Sequence, residues 1–458
     1  MAKKDNKKQN KDKKSNKVLK MPVVGIIDNI VLSEKAAWAY FELADQPYDF
    51  LDSTSKAILA NSTQVALSSL AMSSTKQVDC HLLVSNTVFS TDLWEEQYRH
   101  GYDTWNEHRT LPFEKFVEKQ REELLKNEYK KRITWLGVKL YNRGSFDFNS
   151  INFLEFGFKE SWELIKKGIS EMFKIQGEEI TPEEEKRART AEQQIYSILH
   201  EGALMARRPS AEEVLLTIKR RFYPNMPTPY LETNHNERMG LSDLVMETGG
   251  LIEIRPRWLK FTNIIDGKEM SGYRATLSFS KFPDVMRQPS SMHQPFFYRN
   301  SILPFTCNAR FTLLPVQHMK KELYNKQLEQ EDEIRNLSES NQNPAPGIKQ
   351  SIEDSKIIEE DLENARMPWV AGSYRITLDA DSPGALNDLV TRIKQEYAEE
   401  DIILTWTSGD QLPLFREELL GNELEITSFV HTTNMGMLPM AGFNFGGIVG
   451  DPIIGVDN

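Results

Sequence analysis

Two cysteines in 458 residues, Cys80 and Cys307, are too few and too far apart for a disulfide framework or a thiolate zinc cluster. Both are expected to be small buried apolar side chains in a reducing cytosol. The eight histidines are scattered. No run approaches the roughly 18 to 20 consecutive apolar residues of a membrane-spanning helix, which argues against an integral membrane protein. HExxH and G-x-S-x-G are absent, removing the commonest zinc-peptidase and serine-hydrolase signatures. A phosphate-cradling loop needs glycines, then Lys and Ser or Thr for phosphates and magnesium. The nearest approach is Gly267-Lys268-Glu269-Met270-Ser271-Gly272, followed by Tyr273 and Arg274 where Lys and a hydroxyl are required. It lies between two predicted strands and reads as a hairpin turn.

What is present suits a folded chain of two or three domains. Apolar residues make up 39% and charged residues 27%, with 23 Phe, 14 Tyr and 8 Trp, enough to offset the entropy of ordering the backbone. The first twenty residues differ, with nine lysines, Lys3, Lys4, Lys7, Lys8, Lys11, Lys13, Lys14, Lys17 and Lys20, and two aspartates. Such a segment cannot bury a core and is expected to be disordered. The remainder holds 47 Lys and Arg against 65 Asp and Glu, a formal charge of −18. A basic tail on an acidic body suits an anionic membrane surface or nucleic acid, or is simply solvated.

Along the chain, Val23 to Leu32 reads as a strand or strand pair, and Ser33 to Leu43 as a short helix with Ala36, Ala37, Tyr40 and Phe41 inward. Asp79–Ser85 and Arg132–Leu140 read as strands, with helices from Asp92 and over Phe113–Glu128. Phe158 to Phe222 is mostly helical, with starts at Thr181-Pro182-Glu183-Glu184 and at Ser210-Ala211-Glu212-Glu213, a capping-box pattern. Pro224, Pro227 and Pro229 end that region. Strands return over Leu251–Ile254, Trp258–Ile265, Gly272–Phe279 and Thr306–Leu314. Two charged helices, about 316–365, flank a polar Pro/Gly turn and predict a projecting hairpin. Arg375–Ala380, a helix from Ser382-Pro383, and Ile402–Trp406 form a β-α-β unit. The expected fold is mixed α+β, an N-terminal α/β domain followed by a ferredoxin-like segment. The divisions are a tail (1–20), an α/β and helical domain (21–225), an α+β domain with the hairpin inserted (226–435), and a last segment (436–458).

Four short clusters are candidate sites. Ile357–Asp361 reads as a solvated helix face. Cys80 and His81 are adjacent in a strand and so point to opposite faces, which weakens a dyad. Thr233-Asn234-His235-Asn236-Glu237-Arg238 is a dense polar cluster that reads more readily as a hydrogen-bonded turn than as a ligand site. Lys219-Arg220-Arg221-Phe222-Tyr223 can grip nucleic acid by charge and stacking, but basic residues at a helix C-terminus explain it as well. No catalytic, cofactor-binding or metal-binding residue is assigned.

Leu438 to Gly455, with Gly450, Asp451, Pro452 and Gly455 at its turn, resembles the entry to the motor domain in the CagE/TrbE/VirB family of type IV secretion and conjugation ATPases. Gly272–Pro283, Thr306–Pro315, the charged hairpin and Arg375–Trp406 resemble that family's N-terminal domain in order. Asn142–Asp147 and Pro229–Arg238 resemble versions from conjugative elements of Gram-positive bacteria. The resemblance implies a RecA-like motor beginning near 436. It also implies ATP and Mg as cofactors of the complete protein, and channel subunits at the inner membrane as partners. The complete protein is expected to be an oligomer at the cytoplasmic face of the membrane, with direct nucleic-acid binding doubtful. The Walker residues of the family have no counterpart here, and the chain stops at Val456-Asp457-Asn458. The expectation is therefore a docking portion severed before its motor, without ATP hydrolysis of its own; the alternative is a catalytically silent adaptor of the same channel.

Overall fold

The structure is a computed structural model that describes residues 23–48, 51–74, 77–88, 111–127, 130–143, 172–174, 180–201, 204–228, 250–265, 267–283, 297, 299, 305–339, 346–364 and 368–446. The nine tail lysines, Gly450, Asp451, Pro452, Gly455, the Thr233–Arg238 cluster and the helix expected from Asp92 lie outside them.

Some extended segments are continuous apolar runs and others alternate apolar with polar residues, and together with the helices they assemble into a mixed α+β fold. The strands are β1 (Val23–Ile27), β2 (Ile30–Ser33), β3 (Ala36–Leu43), β4 (Gln46–Pro47), β5 (Val78–Val88), β6 (Lys130–Asn142), β7 (Met172–Lys174), β8 (Leu251–Ile254), β9 (Leu259–Ile265), β10 (Lys268–Lys281), β11 (Phe305–Leu314), β12 (Trp369–Ala380), β13 (Ile403–Thr405), β14 (Val430–Asn434) and β15 (Phe445–Gly446). The helices are α1 (Ser53–Met72), α2 (Leu111–Asn127), α3 (Pro182–Glu201), α4 (Ala211–Arg220), α5 (Val316–Glu339), α6 (Pro346–Asn364), α7 (Pro383–Ala398), α8 (Gln411–Glu418) and α9 (Met437–Met440). Among the described residues one sheet of 13 strands runs β7-β1-β2-β3-β6-β5-β11-β12-β10-β9-β8, with β13 beside β10 and β14 beside β12. Strands β4 and β15 form a small parallel pair of their own.

Three departures from the sequence reading have physical reasons. Ser33–Leu43 is not a helix: it is the end of β2 and the whole of β3. Ala36 to Phe41 is buried on both faces of the sheet, and a short continuous apolar run does not distinguish a two-sided strand from a helix. The boundary expected near 225 does not divide the sheet. Strand β5 of the first part pairs with β11 of the second from Cys307↔Val84 to Leu313↔Val78. The prolines after Tyr223 end α4, not a domain. Nor do residues 436–446 stand apart, since Met437, Leu438, Ala441 and Phe443 join the main core.

Other expectations match. Ser382 caps α7, accepting from Ala385 N at 3.3 Å, and Leu386, Val390, Ile393 and Tyr397 are its buried stripe. Helix α7 carries the chain from β12 to β13, and both strands run antiparallel to β10 between them. This split β-α-β geometry recurs where α1 links β3 to β5 around β6. Ser210 and Glu213 form the capping box of α4. Helices α5 and α6 pair as expected and meet the sheet through Leu314, Met319, Leu323, Leu362 and Trp369. Ile357–Asp361 is helical, within α6. Among the described residues no helix is long and apolar enough to cross a membrane.

The sheet has two unlike faces. One is apolar and is packed by α1, α3 and α7. The other is packed at its margins by α4 and α8 through Val214, Leu215, Ile218 and Phe415, while its centre is polar. Gly137 of β6 lies on this second face beneath Tyr40, where an added Cβ would sit 2.3 Å from Tyr40 Cε1. Tyr40 is hydrogen-bonded through its hydroxyl and cannot swing aside freely. Gly137→Ala should therefore destabilise the protein by about 1–3 kcal/mol, read as a lowered denaturant midpoint; an unchanged midpoint would show that Tyr40 yields at no cost.

Candidate functional site

Strand residues two apart share a face, and in β10, β11 and β12 that rule gathers charge. Arg274, Thr276 and Ser278, then Asn308 and Arg310, then Ser373, Arg375 and Thr377 are all buried on the second face. His81 of β5 stands opposite Arg310 in the register. Helix α8 and the turn after it, through Ile426, lie over these groups, and Glu417 and Glu418 at the helix end are fully buried against them.

Each charge is answered by a specific partner. Arg274 grips Asp379 through two bonds of 2.7 Å and donates a third, also 2.7 Å, to the carbonyl of Arg221. Arg221 donates to Glu418 Oε1 at 2.7 Å, and Thr377 donates to Glu418 Oε2 at 2.8 Å. Arg310 caps the C-terminus of α8, donating to the Glu417 carbonyl at 2.9 and 2.7 Å and to the Leu419 carbonyl at 2.8 Å. Those carbonyls form the negative end of the helix dipole. Arg375 donates to the Ile426 carbonyl at 3.0 Å, and its Nε lies 3.6 Å from Glu417 Oε2, beyond hydrogen-bond reach. Glu417 Oε1 accepts from the backbone N–H groups of Glu425 and Ile426. Gln411, at the start of α8, has a different task. Strand β9 pairs with β10 as far as Arg274 and β13 pairs from Ser278 onward. The Gln411 amide fills the gap, accepting from Thr276 N at 2.8 Å and donating to Thr276 O at 3.1 Å.

Tyr40 and His81 complete the cluster. Gly421 N donates to Tyr40 Oη at 2.8 Å, and Tyr40 Oη lies 3.1 Å from His81 Nδ1. His81 Nε2 lies 2.9 Å from Asn308 Oδ1. Burial, with Arg310 nearby, pushes His81 well below its ordinary pKa, so the ring is neutral. It then donates from Nε2 and accepts the tyrosine proton at Nδ1. Burial also raises the Tyr40 phenol, against the opposing pull of Arg310. Burial lowers Arg310 itself. The two glutamates shift in opposite directions. Burial pushes Glu418 up, but Arg274 and Arg221 outweigh it and hold the carboxyl below its usual value. For Glu417 burial prevails over Arg375 and the backbone donors, and its pKa is raised.

The family-scale and protein-scale comparisons add no assignment. No family model and no curated protein matches this chain. The Tyr40–His81–Asn308 chain is buried, each of the three residues at most 1% exposed. Among the described residues no group of three His, Cys, Asp or Glu side chains is placed to hold a metal.

Of the sequence-level candidates, Cys80 faces the apolar core while His81 faces the charged layer, as adjacent strand residues must. Lys219 and Arg221 are buried, and Arg221 is spent on Glu418, so that run is not a nucleic-acid grip. Gly267 has φ of +72° and Ile265 pairs with Lys268, the hairpin turn expected there. The sequence reading missed Arg274, Arg310, Arg375, Glu417 and Glu418. A signal existed: Tyr273-Arg274-Ala275-Thr276-Leu277 and Tyr374-Arg375-Ile376-Thr377-Leu378 repeat one pattern, with Arg and Thr two apart inside buried strands.

A second polar centre lies on the apolar side. Arg132 of β6 is buried against Asp45 at 3.1 Å and donates to the carbonyls of Phe445 at 2.6 Å, Phe443 at 2.9 Å and Gly442 at 3.4 Å. Thr134 adds a bond to Phe443 O at 3.0 Å. Phe445 stacks on Tyr48 with ring centres 4.6 Å apart, and β15 pairs with β4. The last described turn is thus fastened to the body.

The opposed glutamate shifts give a pH test. Glu418, depressed in the fold, stabilises above the ordinary carboxylate range, and that contribution is lost as pH falls through its lowered value. Glu417, raised in the fold, has the reverse sign: its contribution is present at acid pH and is lost as pH rises through its raised value. Glu418→Gln should cost about 3–5 kcal/mol at neutral pH, the usual penalty for breaking a buried ion pair, with the deficit shrinking in acid. Glu417→Gln should cost less, because an amide oxygen still accepts from Glu425 and Ile426. Urea melts across pH check both; equal deficits at all pH values would contradict the assignment.

Proposed function

We propose that this chain is the docking and assembly portion of a conjugative-transfer ATPase of a type IV secretion system. In its complete form the protein would use ATP and Mg to power translocation, at the inner face of the cell membrane and against subunits of the conjugation channel. The observation that carries the reading is the fastening of the motor-entry segment. Residues 442–446 of the stretch that resembles the family's motor entry are held by Arg132, Thr134 and Tyr48, so that a motor continuing from there would be anchored to this body. Movement of one would be felt by the other through backbone hydrogen bonds to a buried guanidinium. The sealed charged face supports the same view, because it makes the sheet a rigid support and leaves recognition to outer surfaces. The α5–α6 pair is one such surface, with Tyr324 and Leu328 exposed among charged residues. The lysines of residues 1–20 suit an anionic membrane, each contributing about 1 kcal/mol near such a surface.

Transfer and lipid binding test this reading directly. Deleting the gene in donor cells should abolish conjugative transfer, and the wild-type gene should restore it; undiminished transfer would overturn the proposal. The purified chain should float with vesicles of anionic lipid but not with neutral ones, and removal of residues 1–20 should abolish flotation. Equal flotation without the tail would remove the lysines from the reading.

A further inference from the structure

Helix α1 has an outer face unlike a normal solvent face. A surface helix of a folded protein places charged residues outward, as α3 does with Glu183, Lys186 and Arg187 beside its apolar stripe. The only charged side chain of α1 is Lys56, and it is buried over the Tyr48 ring at 4.2 Å. Outward instead stand Ile58, Val65 and Met72, 60%, 65% and 67% exposed. They recur every seven residues. Between them lie Ser62 and Ser69, whose hydroxyls donate back to the carbonyls of Ile58 and Val65, each at 2.9 Å. The serines therefore offer no free donor outward and act as small, nearly apolar positions. Ile58, Ser62, Val65, Ser69 and Met72 follow the 4-3-4-3 spacing of a coiled-coil seam, with large and small residues alternating.

We infer that this seam is a homodimer contact in which α1 packs antiparallel against α1 of a second copy of the chain. The pattern is self-complementary about Val65. Reversing the helix about Val65 places Val65 on Val65, Ile58 on Met72, Ser62 on Ser68 and Asn61 on Ser69, so large apolar residues meet one another and small polar residues lie between them. Such a contact is isologous and closes at two copies. The chain carries a formal net charge of −11, so two copies repel wherever their charged surfaces meet, and α1 offers a long face without charge. The helix has 20 residues, about 30 Å at the rise of an α-helix. One helix pair of that length falls at the small end of specific interfaces, so the dimer is concentration-dependent. This inference does not rest on the proposed function.

Sedimentation velocity of the full chain over a concentration series tests it. The wild type should shift from monomer to dimer, and Val65→Asp should weaken dimerisation by more than about 100-fold, because the two-fold axis sets the new carboxylates against each other. Val65 is exposed, so at concentrations where both proteins are monomeric the circular dichroism and thermal melting of that variant should match the wild type. Orientation is tested by cross-linking, since the native cysteines are both buried. Val65→Cys should oxidise to a linked dimer, and Ile58→Cys should link to Met72→Cys but not to itself. A chain that stays monomeric throughout the series, a dimer indifferent to Val65→Asp, or self-linking of Ile58→Cys would each overturn the inference.

Discussion

Four guanidinium groups, those of Arg221, Arg274, Arg310 and Arg375, are buried between a β-sheet and one short helix. An unpaired buried charge is so costly that it would not remain there. The covering segment must therefore bring its partners in register: the Glu418 carboxylate to Arg221, the helix-end carbonyls to Arg310, and the Ile426 carbonyl to Arg375. Gln411 meanwhile completes the backbone pairing of β10 where two neighbouring strands leave a gap. The position of α8, the path of residues 419–426 and the junction of the two halves of the sheet all follow from satisfying those groups together.

This constraint also separates structure from recognition. A layer of ionisable residues resembles an active site when viewed as a list, with a tyrosine, a histidine, glutamates and arginines close together. Most of its groups bond to one another, while Arg375 Nε and Glu417 Oε2 face each other without a hydrogen bond, and its histidine is neutral because burial and Arg310 both oppose a second proton. The layer holds parts of the chain in place. Exposed apolar side chains stand instead on outer elements, such as Tyr324 and Leu328 of α5 and Ile58, Val65 and Met72 of α1.

Arg132 complements the charged layer from the opposite face of the sheet. It takes three backbone carbonyls and Asp45 at once, which only a forked, permanently charged donor can do. The two centres together tie residues near positions 45, 132, 417 and 445 into one body, far apart in sequence and joined by polar bonds rather than by apolar packing alone.

The sequence by itself determined the local elements whose signals are local. Ser382-Pro383 before an apolar stripe specified α7, Ser210 with Glu213 specified the start of α4, and Gly267 marked the β9–β10 turn, because caps and turns depend on residues within one turn of each other. The charged helical pair of α5 and α6 was legible for the same reason. Only the tertiary structure decided that Ala36–Leu43 is a strand, since its two faces are covered by residues far along the chain, such as Tyr196 against Phe41 and Gly421 against Tyr40. It also decided that Arg274, Arg310 and Arg375 are interior groups. Alternation placed them on one face of their strands, but whether that face met water or Glu418 depended on where α8 came to lie, and no residue near them in sequence carries that information.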